Sequence, residues 1–410
     1  MDANLQKHSS EGSLFVKGGF QMTDSAVKLP SDFDPWYVLL SPPEKIKEKD
    51  SYLLTKPTFE VQSIEVDYRA IAAAAEEDAR QLIDKRWKDI HTLSPVCRAA
   101  KVLSSKQIRN GKSLGVEQYL TQVLGDSKEG VTFALPSFPF KIPNPMKVAH
   151  RNLDAGELLC LRRLHYINSI VQMLMDVPSS FVIISDGKIY SDICDIDASE
   201  YKQYTSDARR AIAKMGLTDE LKYVDMLDTV IGDRLEEYQA TLNAVSTEIA
   251  KWWEKNRETD RVKYLISNMS ANVNTFTEDY SLMRSCGNGV IPDALWNQYK
   301  KLVNDKAESK AREFMCKLVT LRIMDAVSSH YPGSVRATVH PKEGQFGIHL
   351  VNASTFVFPW QGTTLRKTGD KFRVVPTQTA WDSAKYEIRD SETNNILYYS
   401  EIPADTRGGF

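Results

Sequence analysis

Three side chains along VRATVHP, residues 335–341, are of kinds that handle charge and protons: Arg336, Thr338 and His340. On an extended strand successive side chains alternate in face, so these three share one side, and Val335, Ala337 and Val339 share the other. A guanidinium and an imidazole in one row suit a phosphate or carboxylate with proton transfer beside it. Pro341 ends the strand directly after His340, which puts the row at a strand terminus. The polar side faces either solvent or a pocket, and alternation does not decide between them.

A second candidate is ISDGKIY, from Ile184. The apolar FVII reads as a buried strand, the Ser-Asp-Gly as a tight turn, and KIY as the start of a second strand or a bend. The turn puts the Asp186 carboxylate, next to Ser185, at a strand's carboxyl end, where ligands bind in open α/β sheets. Asp186 could act as a general base or orient a substrate amine. A turn aspartate bonded to its own backbone, with Gly187 supplying a positive φ, accounts for the same residues.

The third is SFPFKIPNPMKV, residues 137–148. Each proline fixes φ and drives its predecessor out of the helical region, so the stretch is a stiff, extended wall. Lys141 or Lys147 held there loses little backbone freedom on meeting an anion, and Asn144 offers an amide donor. On the residues alone, a packed crossing loop with its lysines in water is the simpler reading.

Other chemistries lack their residues. GKS at 111–113 ends like a phosphate-binding loop, but Lys106 stands where the upstream glycine is required. His340 and His349 could meet across a hairpin, with no evident acidic third ligand, so no metal site is expected. The net charge of −2 gives no global case for nucleic acid or an anionic membrane surface. The longest apolar runs are far from bilayer-spanning length. The N-terminus has no apolar signal core, and the five cysteines are scattered without a CxxC; both suit a cytoplasmic protein with reduced thiols.

The elements that must position these groups follow from periodicity. Residues 1–60 carry no sustained period and read as a partly disordered tail and arm; residues 61–410 read as one body. Residues 65–90 and 154–175 read as helices, the second opened by Asp154 with Glu157 in a capping-box pattern. GVTFALPSF from Gly130 reads as a short buried strand. From 197 to about 327 the chain reads as mainly helical. After that the period becomes two, with SVRATVH, FGIHLV, TFVF, KFRVV, AKYEIR and NILYYS as short strands. The fold class is mixed α/β (α+β), a central sheet with flanking helices and a strand-rich C-terminal part.

In their order along the chain, the three stretches resemble the isocyanide synthase family, which includes bacterial paerucumarin-type and fungal xanthocillin-type enzymes and the yeast spore-wall formyltyrosine protein. The family's Pro-Phe-Lys-x-Pro-Asn-Pro loop is matched by PFKIPNP at 139–145. Its acidic helix start is matched by Asp154 and Glu157, and its Ser-Asp-Gly turn by residues 185–187. Its Arg-x-Ser-x-His-Pro strand is matched by residues 336–341, with Thr338 in the serine place, and its Pro-Trp pair by Pro359 and Trp360. Gln361 departs from the pattern, where the family usually has His; glutamine hydrogen-bonds but does not titrate. The resemblance spans roughly residues 60 to 400, with no appended oxygenase or acyltransferase domain expected.

The resemblance implies conversion of an amino acid's α-amine to an isonitrile, with ribulose 5-phosphate as carbon donor and no cofactor. It implies catalytic roles for Lys141, Asp186 and His340, and substrate contacts from Asn144, Lys147, Ser185, Arg336, Thr338 and Gln361. The partners implied are the two substrates and a downstream tailoring enzyme. An N-formyl product, as in the spore-wall relative, or a binding protein without catalysis are the competing expectations.

Overall fold

The protein is described from a computed structural model covering residues 21–23, 26–28, 56–105, 115–127, 129–144, 147–270, 293–339, 346–351, 358–369 and 371–404. Within the stretch read as a tail, β1 (Gln21–Thr23) and β2 (Ala26–Lys28) form an antiparallel pair. The chain resumes at β3 (Glu60–Ile64), followed by α1 (Tyr68–Ile90), α2 (Pro95–Ser104) and α3 (Val116–Asp126).

The sheet that matters for the site is parallel throughout. It contains β4 (Val131–Pro136), β5 (Ser179–Ser185), β6 (Leu221–Asp225), β7 (Val335–Thr338) and β8 (Phe346–Gly347), in the order β6-β5-β4-β7-β8. Helix α4 (Ala155–Met175) links β4 to β5. The short α5 (Gly187–Tyr190) and α6 (Ala198–Met215) link β5 to β6. From β4 the sheet grows one way through β5 and β6, and β7 joins on the other side. Strand order therefore reverses between β4 and β7, and such a switch point opens a crevice at the carboxyl ends of the strands.

Between β6 and β7 run a π-helical turn at Met226–Ile231, α7 (Leu235–Asn256), α8 (Asp260–Ser270), α9 (Asp293–Ile323) and α10 (Ala326–His330). A second, mixed sheet holds β9 (Thr363–Lys367), β10 (Lys371–Val375), β11 (Tyr386–Asp390), β12 (Ile396–Ser400) and β3, in the order β10-β9-β12-β11-β3, with α11 (Thr377–Ser383) beside it. The N-terminal strand β3 thus completes a C-terminal sheet, pairing parallel with β11.

The alternating faces of the parallel sheet go into two different cores. Phe133, Leu135, Phe181, Ile183, Val335 and Ala337 pack toward α1, α4 and α6. Ala134, Val182 and Ile184 pack on the opposite side, with α5, α7 and α9. Both faces are apolar because both are covered, as parallel sheets require. Helix α4 is buried nearly all round, because it lies between the two sheets.

Several expectations from periodicity change. KIY is helical rather than a strand or bend. LKYVD, inside the stretch read as helical, is edge strand β6. FGIHLV contributes only Phe346–Gly347 as strand, and β8 pairs parallel with β7. TFVF, apart from its last residue Phe358, and GKS at 111–113 lie outside the described residues.

Candidate active site at the carboxyl edge of the parallel sheet

The alternation of β7 sends Val335 and Ala337 into the first core, and Arg336 and Thr338 to the α9 side. Arg336 pairs in register with Ala134 of β4, directly at the switch point. Its backbone N–H donates to the Tyr119 hydroxyl at 3.0 Å. Among the described residues, the guanidinium makes one long contact, to the Ala134 carbonyl at 3.5 Å. Burial pulls its pKa down to about 10, with the neighbouring Arg322 adding repulsion.

Asp186 follows β5 on the same side of the sheet as Val182 and Ile184. It stands at the head of α5, yet its side chain caps no helix N–H. Burial raises its pKa to about 7, and Asp225 pushes the same way, while Arg336 pulls against them. A carboxyl poised there exchanges protons at neutral pH, as general acid–base chemistry asks. Beside it, the Tyr190 hydroxyl is buried with no hydrogen-bond partner among the described residues. Ser185 is fully buried, and its Oγ accepts from the Gly187 N–H at 3.3 Å, so it braces the turn from beneath.

Gly187 owes its identity to close approach. It has no positive φ, but a Cβ there would lie 2.2 Å from the Pro139 carbonyl oxygen and 2.6 Å from Tyr201. The proline loop therefore rests directly on the Asp186 turn. Phe140, Ile142 and Val148 anchor the loop in the second core. Its start is fixed by Phe138, at φ 57, whose carbonyl accepts from the Tyr223 hydroxyl at 2.7 Å. The Ile142 N–H donates to the Trp360 carbonyl at 2.8 Å.

Lys141 is taken into a closed ionic cluster. Its ammonium meets Asp154 Oδ2 at 2.9 Å and Glu157 Oε2 at 3.0 Å, and donates to the Pro359 carbonyl at 2.8 Å. All three charged side chains are shut off from solvent. Burial alone would lower the lysine pKa, but the two carboxylates outweigh it and hold it up. Burial works upward on both carboxyls: Lys141 overcomes it at Asp154, which stays low, and does not at Glu157, which is raised. The capping box at the head of α4 is present, with Glu157 accepting from the Asp154 N–H at 3.1 Å. The cluster staples the proline loop, the start of α4 and the Pro359–Gln361 turn together.

Lys147 is half-buried and burial lowers its pKa to about 8. It lies near Cys194, which in turn feels Asp186. Asn144 holds the loop's turn, its carbonyl accepting from the N–H groups of Lys147 at 3.0 Å and Val148 at 2.9 Å. Gln361 closes the Pro359–Gln361 turn, its N–H donating to Phe358 at 2.8 Å. His340 lies outside the described residues. The structure thus brings Asp186, Arg336 and Thr338 to one side of one sheet edge, and takes Lys141 and Ser185 into supporting contacts. Tyr190 and Arg322, which the sequence reading did not single out, stand in electrostatic reach of Asp186 and Arg336 respectively.

The protein is of the α/β class, with a raised carboxyl after β5 and a desolvated guanidinium on β7, at the edge where open α/β sheets tend to bind ligands. A profile of the pyoverdine/dityrosine biosynthesis protein family matches residues 122–388, and the chain belongs to that family. The L-tryptophan isonitrile synthase of Fischerella ambigua is 23% identical over 253 residues, 58% of this chain and 72% of that protein. The L-tyrosine isonitrile synthase of Pseudomonas aeruginosa is 22% identical over 254 residues, 60% of this chain and 73% of that protein. Isocyanide synthase A of Aspergillus fumigatus is 23% identical over 288 residues, 67% of this chain and 42% of that protein. The crystal structure of the PvcA protein from Pseudomonas aeruginosa matches with a TM-score of 0.58 at 18% identity, over 76% of this chain and 100% of that one, which establishes a shared fold.

Proposed function

We propose that this protein is an isocyanide synthase. It converts the α-amine of an amino acid to an isonitrile with ribulose 5-phosphate as carbon donor, as the first step of a secondary-metabolite pathway in the cytoplasm. The observation that carries this reading is the presence of Asp186, its pKa raised to about 7, and of Arg336 at one edge of the parallel sheet, in a chain whose relatives are isonitrile synthases. No helix among the described residues is long and apolar enough to cross a membrane.

In this reading the amine condenses with the sugar's ketone, and enolisation, loss of phosphate and carbon–carbon cleavage leave one carbon on nitrogen. Asp186 accepts the amine proton. His340, two positions beyond β7 in the sequence, supplies the second acid–base group. Arg336 grips the anion, and Thr338, Asn144, Lys147 and Gln361 line the rim. Lys141 acts indirectly, holding the loop that roofs the Asp186 turn, with Ser185 bracing that turn from below. A tailoring enzyme takes the product onward.

The test is incubation of purified protein with ribulose 5-phosphate and a panel of amino acids, with the isonitrile trapped by a tetrazine. Isonitrile from at least one amino acid is expected. No product with any of them, while the Pseudomonas enzyme works alongside, would remove the synthase reading. A product heavier by one water would instead mark the N-formyl chemistry.

A further inference from the structure

Asp225 is the last residue of β6, is buried, and carries none of the roles proposed above. Three donors converge on its carboxylate. Oδ1 accepts from the N–H groups of Leu227 at 2.8 Å and Asp228 at 2.9 Å, which caps the π-helical turn at Met226–Ile231. Oδ2 accepts from the hydroxyl of Tyr201, a buried residue of α6. Together they fix the side chain's orientation. π-Helical turns are rare and recur at functional sites, and this one begins one strand away from Asp186.

The same residues hold the Asp186 turn. Ser185 of β5 and Asp225 of β6 are partners in register, on strands about 4.8 Å apart, and Asp186 is the next residue after that pair. From α6, Cε2 of Tyr201 lies 2.6 Å from where a Cβ on Gly187 would stand, so its ring bears directly on the turn. From the π-helical turn, Asp228 accepts from the Lys188 ammonium and ties down α5. The turn is thus seated between Tyr201, the π-helical turn and the Pro139 carbonyl, and Asp225 is bonded to the first two.

The titratable and charged groups around Asp186 are Asp225 from β6, Arg336 from β7, Tyr190 of α5, Cys194 after it, and Tyr201 of α6. Lys188 and Asp228 answer each other on the exposed side. Burial is the largest influence keeping a proton on Asp186; Asp225 adds to it by repulsion, and Arg336 opposes both.

We propose that Asp225 and Tyr201 are a positioning pair for Asp186, seating its turn at the end of β5 and governing its proton exchange. The proposal rests on the reading of Asp186 as proton acceptor given above. Asp225 supplies the charge, and Tyr201 supplies the bond that fixes that charge and the ring that seats the turn. Neither touches substrate.

The test separates charge from packing. Melting temperature is followed from about pH 4 to 9 for the native protein, D225N and Y201F, each with and without D186N. The difference that D186N makes reports the Asp186 titration and needs no turnover. The pH profile of kcat/KM is taken alongside, with ribulose 5-phosphate and the accepted amino acid. D225N keeps the cap and loses the charge, so both midpoints should fall by about 0.5–1 pH unit. D225S, which retains an N-cap oxygen, takes its place if D225N does not fold. Y201F keeps the charge and the ring, so its midpoints should stay within about 0.2 unit of native. Its kcat should fall about tenfold at near-native KM, the worth of one hydrogen bond. Unmoved midpoints in the folded Asp225 variant, or native kcat in Y201F, would overturn the pair. A lowered Asp186 midpoint in that variant, with no isonitrile from the native protein, would keep the pair and sink the synthase reading.

Discussion

A lysine on a stiff proline loop promises an anion site, but Lys141 has its charge answered from within. Two carboxylates and a carbonyl surround its ammonium. Lys141→Ala leaves a buried carboxylate uncompensated, which costs about 3–5 kcal/mol. The expected result is a lower urea midpoint, with any loss of turnover following the loss of folded protein; unaltered stability would contradict the closed cluster. Asp186 behaves differently. Its folded pKa of about 7 lies above the ordinary 3.8, so the folded state keeps a proton that the unfolded chain releases. This group's contribution to stability is therefore fully present below pH 4 and fades as pH rises through 7. Activity runs the other way, because a proton acceptor must be ionised. We expect kcat/KM to climb across pH 7 and Asp186→Asn to abolish turnover while flattening that part of the stability profile; a fully active Asn variant would remove Asp186 from the chemistry.

Among the elements, the turn after β5 and the proline loop act as one unit. Gly187 is the contact point, and Gly187→Ala would force the Pro139 carbonyl away from 2.2 Å. Overpacking of this kind costs about 1–3 kcal/mol. We expect a lower melting temperature, and a turnover loss larger than the stability change explains, because the loop roofs Asp186. An alanine variant with native turnover would show that the loop's seat does not matter. The helix at 154–175 was legible in full, since its cap and its apolar period are both local signals. Strand β6 was not: LKYVD lies between helices and its pattern, buried at Leu221, Tyr223 and Asp225, is set by pairing with β5. The identity of Gly187 was legible but its reason was not, because close approach of a loop 48 positions upstream leaves no trace in local sequence.

On the scale of the molecule, the order β6-β5-β4-β7-β8 brings the ends of β5 and β7 to the two sides of β4, at one edge of the sheet. The α/β class could be read from the strands and helices. The switch point could not, since sheet order depends on long-range pairing that no window of residues contains. Arg336 and Asp186 were visible as strand-end charges. The most direct measurement is carbon-13 NMR of the product made from ribulose 5-phosphate labelled at the ketone carbon. The isonitrile carbon should carry the label, and Arg336→Gln should lower its yield at least 100-fold. An unlabelled isonitrile carbon, or full yield from the Gln variant, would contradict the account.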